Sequence, residues 1–164
     1  MLSGYYNDAM ARLEDTIAKF LTRKEKTVAV AESCTGGLLS HRLTNIPGSS
    51  KYFKLGVIGY SNESKIAILK VSRKDLNDSG AVSQSVAIAM AKNIRRIAHT
   101  DFGLSITGIA GPSGATVKKP VGLVFICLAK KNGAFCHKFI FKGKRPSIKN
   151  QSADAALKIL KQHL

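Results

Sequence analysis

The chain has no tryptophan, and aromatic residues fill only 7% of its 164 positions. Such a sequence offers little ring surface on which bases could stack. Cysteine is sparse too: Cys34, Cys127 and Cys136, an odd count with no CxxC spacing. That argues against a disulfide framework and fits a reducing compartment. Cys127 and Cys136 flank an Asn132-Gly133 turn. In a two-residue hairpin centred there they would sit diagonally, too far apart for an unstrained bridge. The four histidines (His41, His99, His137, His163) form no metal-ligand cluster with these cysteines, so neither metal nor other cofactor is expected. No apolar run approaches the ~20 residues that a membrane span needs. The opening MLSGYYNDAMARLED carries no basic stretch followed by an apolar one, so no signal peptide is read. A cytoplasmic protein without membrane contact is the expectation.

Acidic residues are also few: 10 against 26 basic ones, a net charge of +16. A field of that sign draws anions, whether phosphorylated metabolites or nucleic acid. The basic residues are spread out and form no tail or dense block, so they equally describe a solvated surface. No RRM, KH or zinc-finger pattern is present.

What is there reads as one α/β domain. The length suits a single core, and the apolar fraction of 45% is normal for a globular protein. From Tyr5 to Leu21, Ala9, Leu13, Ile17 and Phe20 recur near helical spacing and predict an amphipathic first helix. TVAVA (27–31) reads as a buried strand, 54–60 as a second and FGLSIT (102–107) as a third. VGLVFICLA and AFCHKFIF read as a hairpin through Lys131-Asn132-Gly133. Helices are expected over 62–69, from a Ser83 cap to about His99, and over 147–164. Strands alternating with helices, plus one hairpin, predict a three-layer α/β/α sandwich on a mixed, mostly parallel five-stranded sheet. In open sheets of this kind ligands bind beyond the carboxyl ends of the strands. Segments 32–37, 60–65 and 107–114 all come directly after predicted strands.

Ser33 lies between a strand and a helix. It could cap that helix, or present its hydroxyl beside free N–H groups able to hold an oxyanion. Lys65 could be a solvated surface base, or a desolvated amine that takes a serine proton. Glu63 reads as a carboxylate at a helix start. The glycines at 108, 111 and 114 imply a tight loop that could approach a ligand closely. Thr107 could donate a hydrogen bond into the cleft, and Arg145 could grip a phosphate in bidentate fashion.

AESCTGG (31–37), GYSNESK (59–65), GAVS (80–83), TGIAGPSG (107–114), KPVG (119–122) and the 143–145 turn succeed one another in a set order. In that order and spacing they resemble the C-terminal domain of the competence/damage-inducible CinA family, over about Lys24 to the C-terminus. That domain also occurs alone as nicotinamide-nucleotide amidase. The resemblance implies hydrolysis of nicotinamide mononucleotide to nicotinic acid mononucleotide and ammonia, through a metal-free serine–lysine mechanism. It implies Ser33 as nucleophile, Lys65 as general base, Glu63 orienting or tuning that base, and Tyr60 beside them. Thr35, Gly36, Gly37, Thr107, Gly108, Gly111 and Arg145 would line the substrate, with Arg145 assigned to its phosphate. It also implies a homo-oligomer, a dimer or higher. Ala115, Leu123 and Lys144 depart from the family pattern. The larger members carry a further N-terminal domain, and residues 1–164 read as the single amidase-type domain. The contrasting reading is a catalytically weak module that binds nucleic acid or a protein partner.

Overall fold

The computed structural model describes residues 12–164. The part of the expected first helix before Arg12, including Ala9, lies outside them. The first half of the described chain forms α1 (Leu13–Arg23), β1 (Val28–Glu32), α2 (Leu38–Thr44), β2 (Phe53–Ile58), α3 (Asn62–Ala67), α4 (Arg73–Ser79) and α5 (Gln84–Ile97). The second half forms β3 (Phe102–Gly108), β4 (Leu123–Lys130), β5 (Gly133–Ile140) and α6 (Arg145–Gln162).

The strands form one sheet in the order β2-β1-β3-β4-β5. β1 pairs parallel with β2 and β3, while β4 pairs antiparallel with β3 and with β5. The sheet is therefore mixed as expected, with parallel pairing confined to its β2-β1-β3 half. Alternation along β1 explains the layers. Val28 and Val30 face a core shared with Ile17 and Leu21 of α1, Leu39 and Leu43 of α2, and Ile148 and Leu157 of α6. Ala29 and Ala31 face the opposite core, with Leu76 of α4 and Val86, Met90 and Ile94 of α5. Both faces being covered, β1 is buried along its whole length, as a parallel central strand should be. Arg42 ties the first layer together, donating to Glu14 of α1 and Asp154 of α6, each at 2.6 Å.

The hairpin corrects the expectation about the cysteines. Its turn is Lys131-Asn132, and Gly133 already pairs with Lys130. Cys127 and Cys136 are thus direct partners, Cα atoms 4.2 Å apart, and they are joined as a disulfide. The physical cause is burial: Cys127, Ala129, Ala134 and Cys136 share a small-residue face packed on Ala87 and Ala91 of α5. Register is set by the buried face, and the Asn-Gly dipeptide alone misplaced it by one position.

Candidate active site

β1, β2 and β3 run parallel, so their carboxyl ends meet at one edge of the domain. Ser33 comes directly after β1, and its N–H donates to Ile106 O of β3 at 2.9 Å. Residues 33–37 make a tight turn, and α2 begins only at Leu38. Ser33 is therefore not the cap of that helix. The group that holds the helix start is Glu32, fully buried at the end of β1. Its carboxylate accepts from Gly37 N–H (3.0 Å), Leu39 N–H (3.1 Å), Ser40 N–H (2.8 Å) and Ser40 Oγ (2.7 Å). A carboxylate at a helix start satisfies otherwise orphaned donors. This frees Ser33 for other work.

Lys65 arrives from α3. Ser61 caps that helix, accepting from Ser64 N–H while Ser64 Oγ accepts from Ser61 N–H. One turn on, Lys65 points inward and is only 1% exposed. Its Nζ lies 2.8 Å from Gly59 O, 3.2 Å from Tyr60 O and 3.2 Å from Ser33 Oγ. Burial pulls its pKa below the usual lysine value; a Cys34 thiolate would act the other way. The neighbouring Cys34 thiol is pushed the other way by burial, up to about 11. At neutral pH the thiol is protonated, so among the two adjacent side chains the hydroxyl paired with an amine is the better nucleophile.

Ser33, Cys34, Tyr60, Lys65, Thr107 and Arg145 line a cleft of about 290 Å³, with Ala81, Val82 and the 108–114 loop as its other wall. The tight loop rests against the segment leading into β4: Gly111, at φ +76°, leaves only 2.6 Å between an added Cβ and Val121 Cγ1. Gly36 N–H is taken by Ser33 O, and Gly37 N–H by Glu32. Within the turn this leaves the N–H groups of Cys34 and Thr35 without an oxygen acceptor among the described residues.

A profile of the CinA C-terminal domain matches residues 10–164. The chain belongs to this family. It is 49% identical over 162 residues to a competence-damage inducible protein of Clostridium tetani, covering 99% of this chain and 40% of that one. A CinA-like protein of Syntrophus aciditrophicus is 47% identical over 153 residues, 93% of this chain and 36% of that one. The chain thus spans somewhat over a third of the length of these curated relatives. Among solved structures, a competence/damage inducible protein from Agrobacterium tumefaciens superposes with a TM-score of 0.90 at 36% identity, covering 92% of both chains. A CinA superfamily protein from Escherichia coli gives 0.88 at 29% identity, covering 93% of this chain and 91% of that one.

The remaining residues expected of a CinA site fall into two groups. Arg145, the first residue of α6, spans the cleft mouth: Nη1 donates to Gly111 O at 2.8 Å and Nη2 to Tyr60 Oη at 2.7 Å. Tyr60 contributes its carbonyl to Lys65 and its half-exposed ring to the rim. Gly108 lines the wall. Thr35 is fully buried, and its hydroxyl has no hydrogen-bond partner among the described residues. Other residues do not take the expected part. Thr107 donates not into the cleft but to Ala81 O at 2.9 Å, tying β3 to the 80–83 segment. Glu63 stands fully exposed at the start of α3, its carboxylate drawn below the ordinary range by its own N–H and the Ser61 hydroxyl. It is not among the groups holding Lys65. Sequence reasoning missed Glu32 and the Gly59 carbonyl. An acid closing the run VAVA was a usable signal for Glu32, because a carboxylate inside a buried strand needs partners; backbone carbonyls leave none. No cluster of His, Cys, Asp and Glu able to hold a metal occurs among the described residues, and no described helix is long and apolar enough to cross a membrane.

Proposed function

We propose that the chain is an amidase that hydrolyses nicotinamide mononucleotide to nicotinic acid mononucleotide and ammonia, with Ser33 as nucleophile and Lys65 as its base. The observation that carries this reading is the 3.2 Å contact between Ser33 Oγ and a buried Lys65 Nζ whose other partners are two fixed carbonyls. A neutral amine has two N–H bonds and one lone pair. With the N–H bonds on Gly59 O and Tyr60 O, the lone pair is left for the serine proton. Desolvation favours that neutral form.

Ser33 Oγ attacks the carboxamide carbon while its proton passes to Lys65 Nζ. The carbonyl electron pair moves to oxygen, and the oxyanion would be held by N–H groups of the 33–37 turn, of which Cys34 is the one that lines the cleft. The resulting ammonium is held by the same two carbonyls. Collapse of the intermediate breaks the C–N bond, and Lys65 returns its proton to the leaving nitrogen as ammonia forms. Water then gives a proton to Lys65 and attacks the acyl-serine ester; the proton goes back to Ser33 and the acid leaves. Gly36 and Gly37 shape the turn that holds the nucleophile, Thr107 and Gly108 hold the opposite wall, and Arg145 exchanges its contacts with Tyr60 and Gly111 for the substrate phosphate. A phosphorylated metabolite stays inside the cell, so we assign the activity to the cytoplasm.

The test is ammonia release from nicotinamide mononucleotide by wild type, Ser33→Ala and Lys65→Ala. The expected result is release by wild type and a loss of about 10³-fold or more in each variant. No release by folded wild type across a pH series would reject the reading.

A further inference from the structure

At the end of the sheet opposite the cleft, a second opening of about 410 Å³ lies between α5 and the β4–β5 turn. Lys92, Arg95 and Arg96 line it from the helix, and Lys130 and Lys131 from the turn. No carboxylate lines it, and none of these five cations forms an ion pair among the described residues. Lys92 and Arg96 stand four apart on one helix, a spacing at which like charges repel. Several of the cations are held in place. Arg95 Nε donates to Asp101 O at 3.2 Å, Arg96 to the Asn93 side chain, and Lys130 Nζ sits 5.2 Å over the Phe135 ring. Gly103, at this end of β3, lies four residues before Thr107 of the cleft wall. The strand therefore separates the two openings by about 13 Å.

We propose that this basic opening is a second anion site that takes the phosphodiester backbone of nucleic acid, independently of the cleft chemistry. Five cations with no carboxylate among them make a local positive potential that an anion would neutralise, and a net charge of +16 brings polyanions to the surface. The lining speaks against a free nucleotide. Apart from Ala129 and Gly133 it is polar or charged, whereas a small-molecule site buries its ligand against mostly apolar walls. A chain that places successive phosphates on α5 and on the hairpin turn needs no such walls.

The experiment is fluorescence anisotropy with labelled oligothymidylate of about 20 nucleotides, repeated over a salt series, with full-length protein. Two triple variants are compared. Lys92→Gln/Lys130→Gln/Lys131→Gln removes three of the site's five cations, and Lys19→Gln/Lys51→Gln/Lys118→Gln removes the same charge elsewhere. The proposal expects binding by wild type and by the second variant. In the first it expects roughly tenfold or greater weakening and a salt slope shallower by about 2, since each lost phosphate contact removes about 0.7. Ammonia release at saturating substrate should be equal in all three. Equal weakening of both variants would show diffuse charge and overturn the site. So would absence of binding at low salt, or full competition by thymidine monophosphate at concentrations matched for phosphate.

Discussion

At the scale of residues, the proposed chemistry rests on a lysine kept dry. Its pKa in the folded chain lies below the unfolded value. Between those two values the unfolded chain holds the proton more tightly than the folded one, so stability rises with pH across that window. The burial cost is full below the folded pKa and gone above the unfolded one. Urea midpoints of wild type relative to Lys65→Met should therefore climb as pH approaches the ordinary lysine value of about 10, and a flat difference would mean Lys65 is solvated. Ammonia release should rise over the same limb as the amine loses its proton. Glu32 gives a second prediction. Glu32→Gln turns one acceptor into a donor facing N–H groups. It should cost about 2–4 kcal/mol in urea unfolding and lower kcat, because the turn carrying Ser33 loses its anchor. That Ser33 and Lys65 share one site was readable from the ordered motifs that carry them. What held them was not: backbone carbonyls carry no side-chain signature, and Glu63, the nearest acid in sequence, points into solvent.

At the scale of elements, most strands and helices matched their sequence patterns because burial and periodicity agreed. Val86, Met90 and Ile94 are buried along α5 as the stripe required, while Ile97 at the frayed end of that stripe is 42% exposed. The hairpin register escaped because it is decided by what β4 and β5 pack against, a contact distant in sequence. Two glycines separate backbone strain from crowding. Gly48 has φ +82° with nothing within 4 Å of a built Cβ, whereas Gly111 has φ +76° and Val121 at 2.6 Å. Gly48→Ala should cost about 1 kcal/mol from backbone conformation alone. Gly111→Ala should cost more and should also raise KM, since the loop it supports lines the cleft. Parallel urea titrations and steady-state kinetics check both.

For the whole molecule, charge is the dominant property. A field of +16 attracts anions, the proposed phosphorylated substrate among them. Raising ionic strength from about 0.05 to about 0.5 M should lower kcat/KM several-fold for a phosphorylated amide, while kcat stays nearly constant. A matching fall in kcat would point instead to loss of structure. The charge was visible from composition, but its concentration at the far end of the sheet was not. Lys92–Arg96 and Lys130–Lys131 are separated by more than thirty residues and meet only through the fold.

Glu32 ends one element and fastens the first turn of the next. The five residues between are a closed link of fixed length, so evolution and engineering alike should find no room there for an added or deleted residue. The segment around Val117 is the opposite case. Thr116 and Lys119 bond to each other across it, and Val117 itself is wholly exposed. A peptide tag spliced between Val117 and Lys118 should be carried without loss of fold, giving the domain a natural attachment point beside, but outside, its cleft.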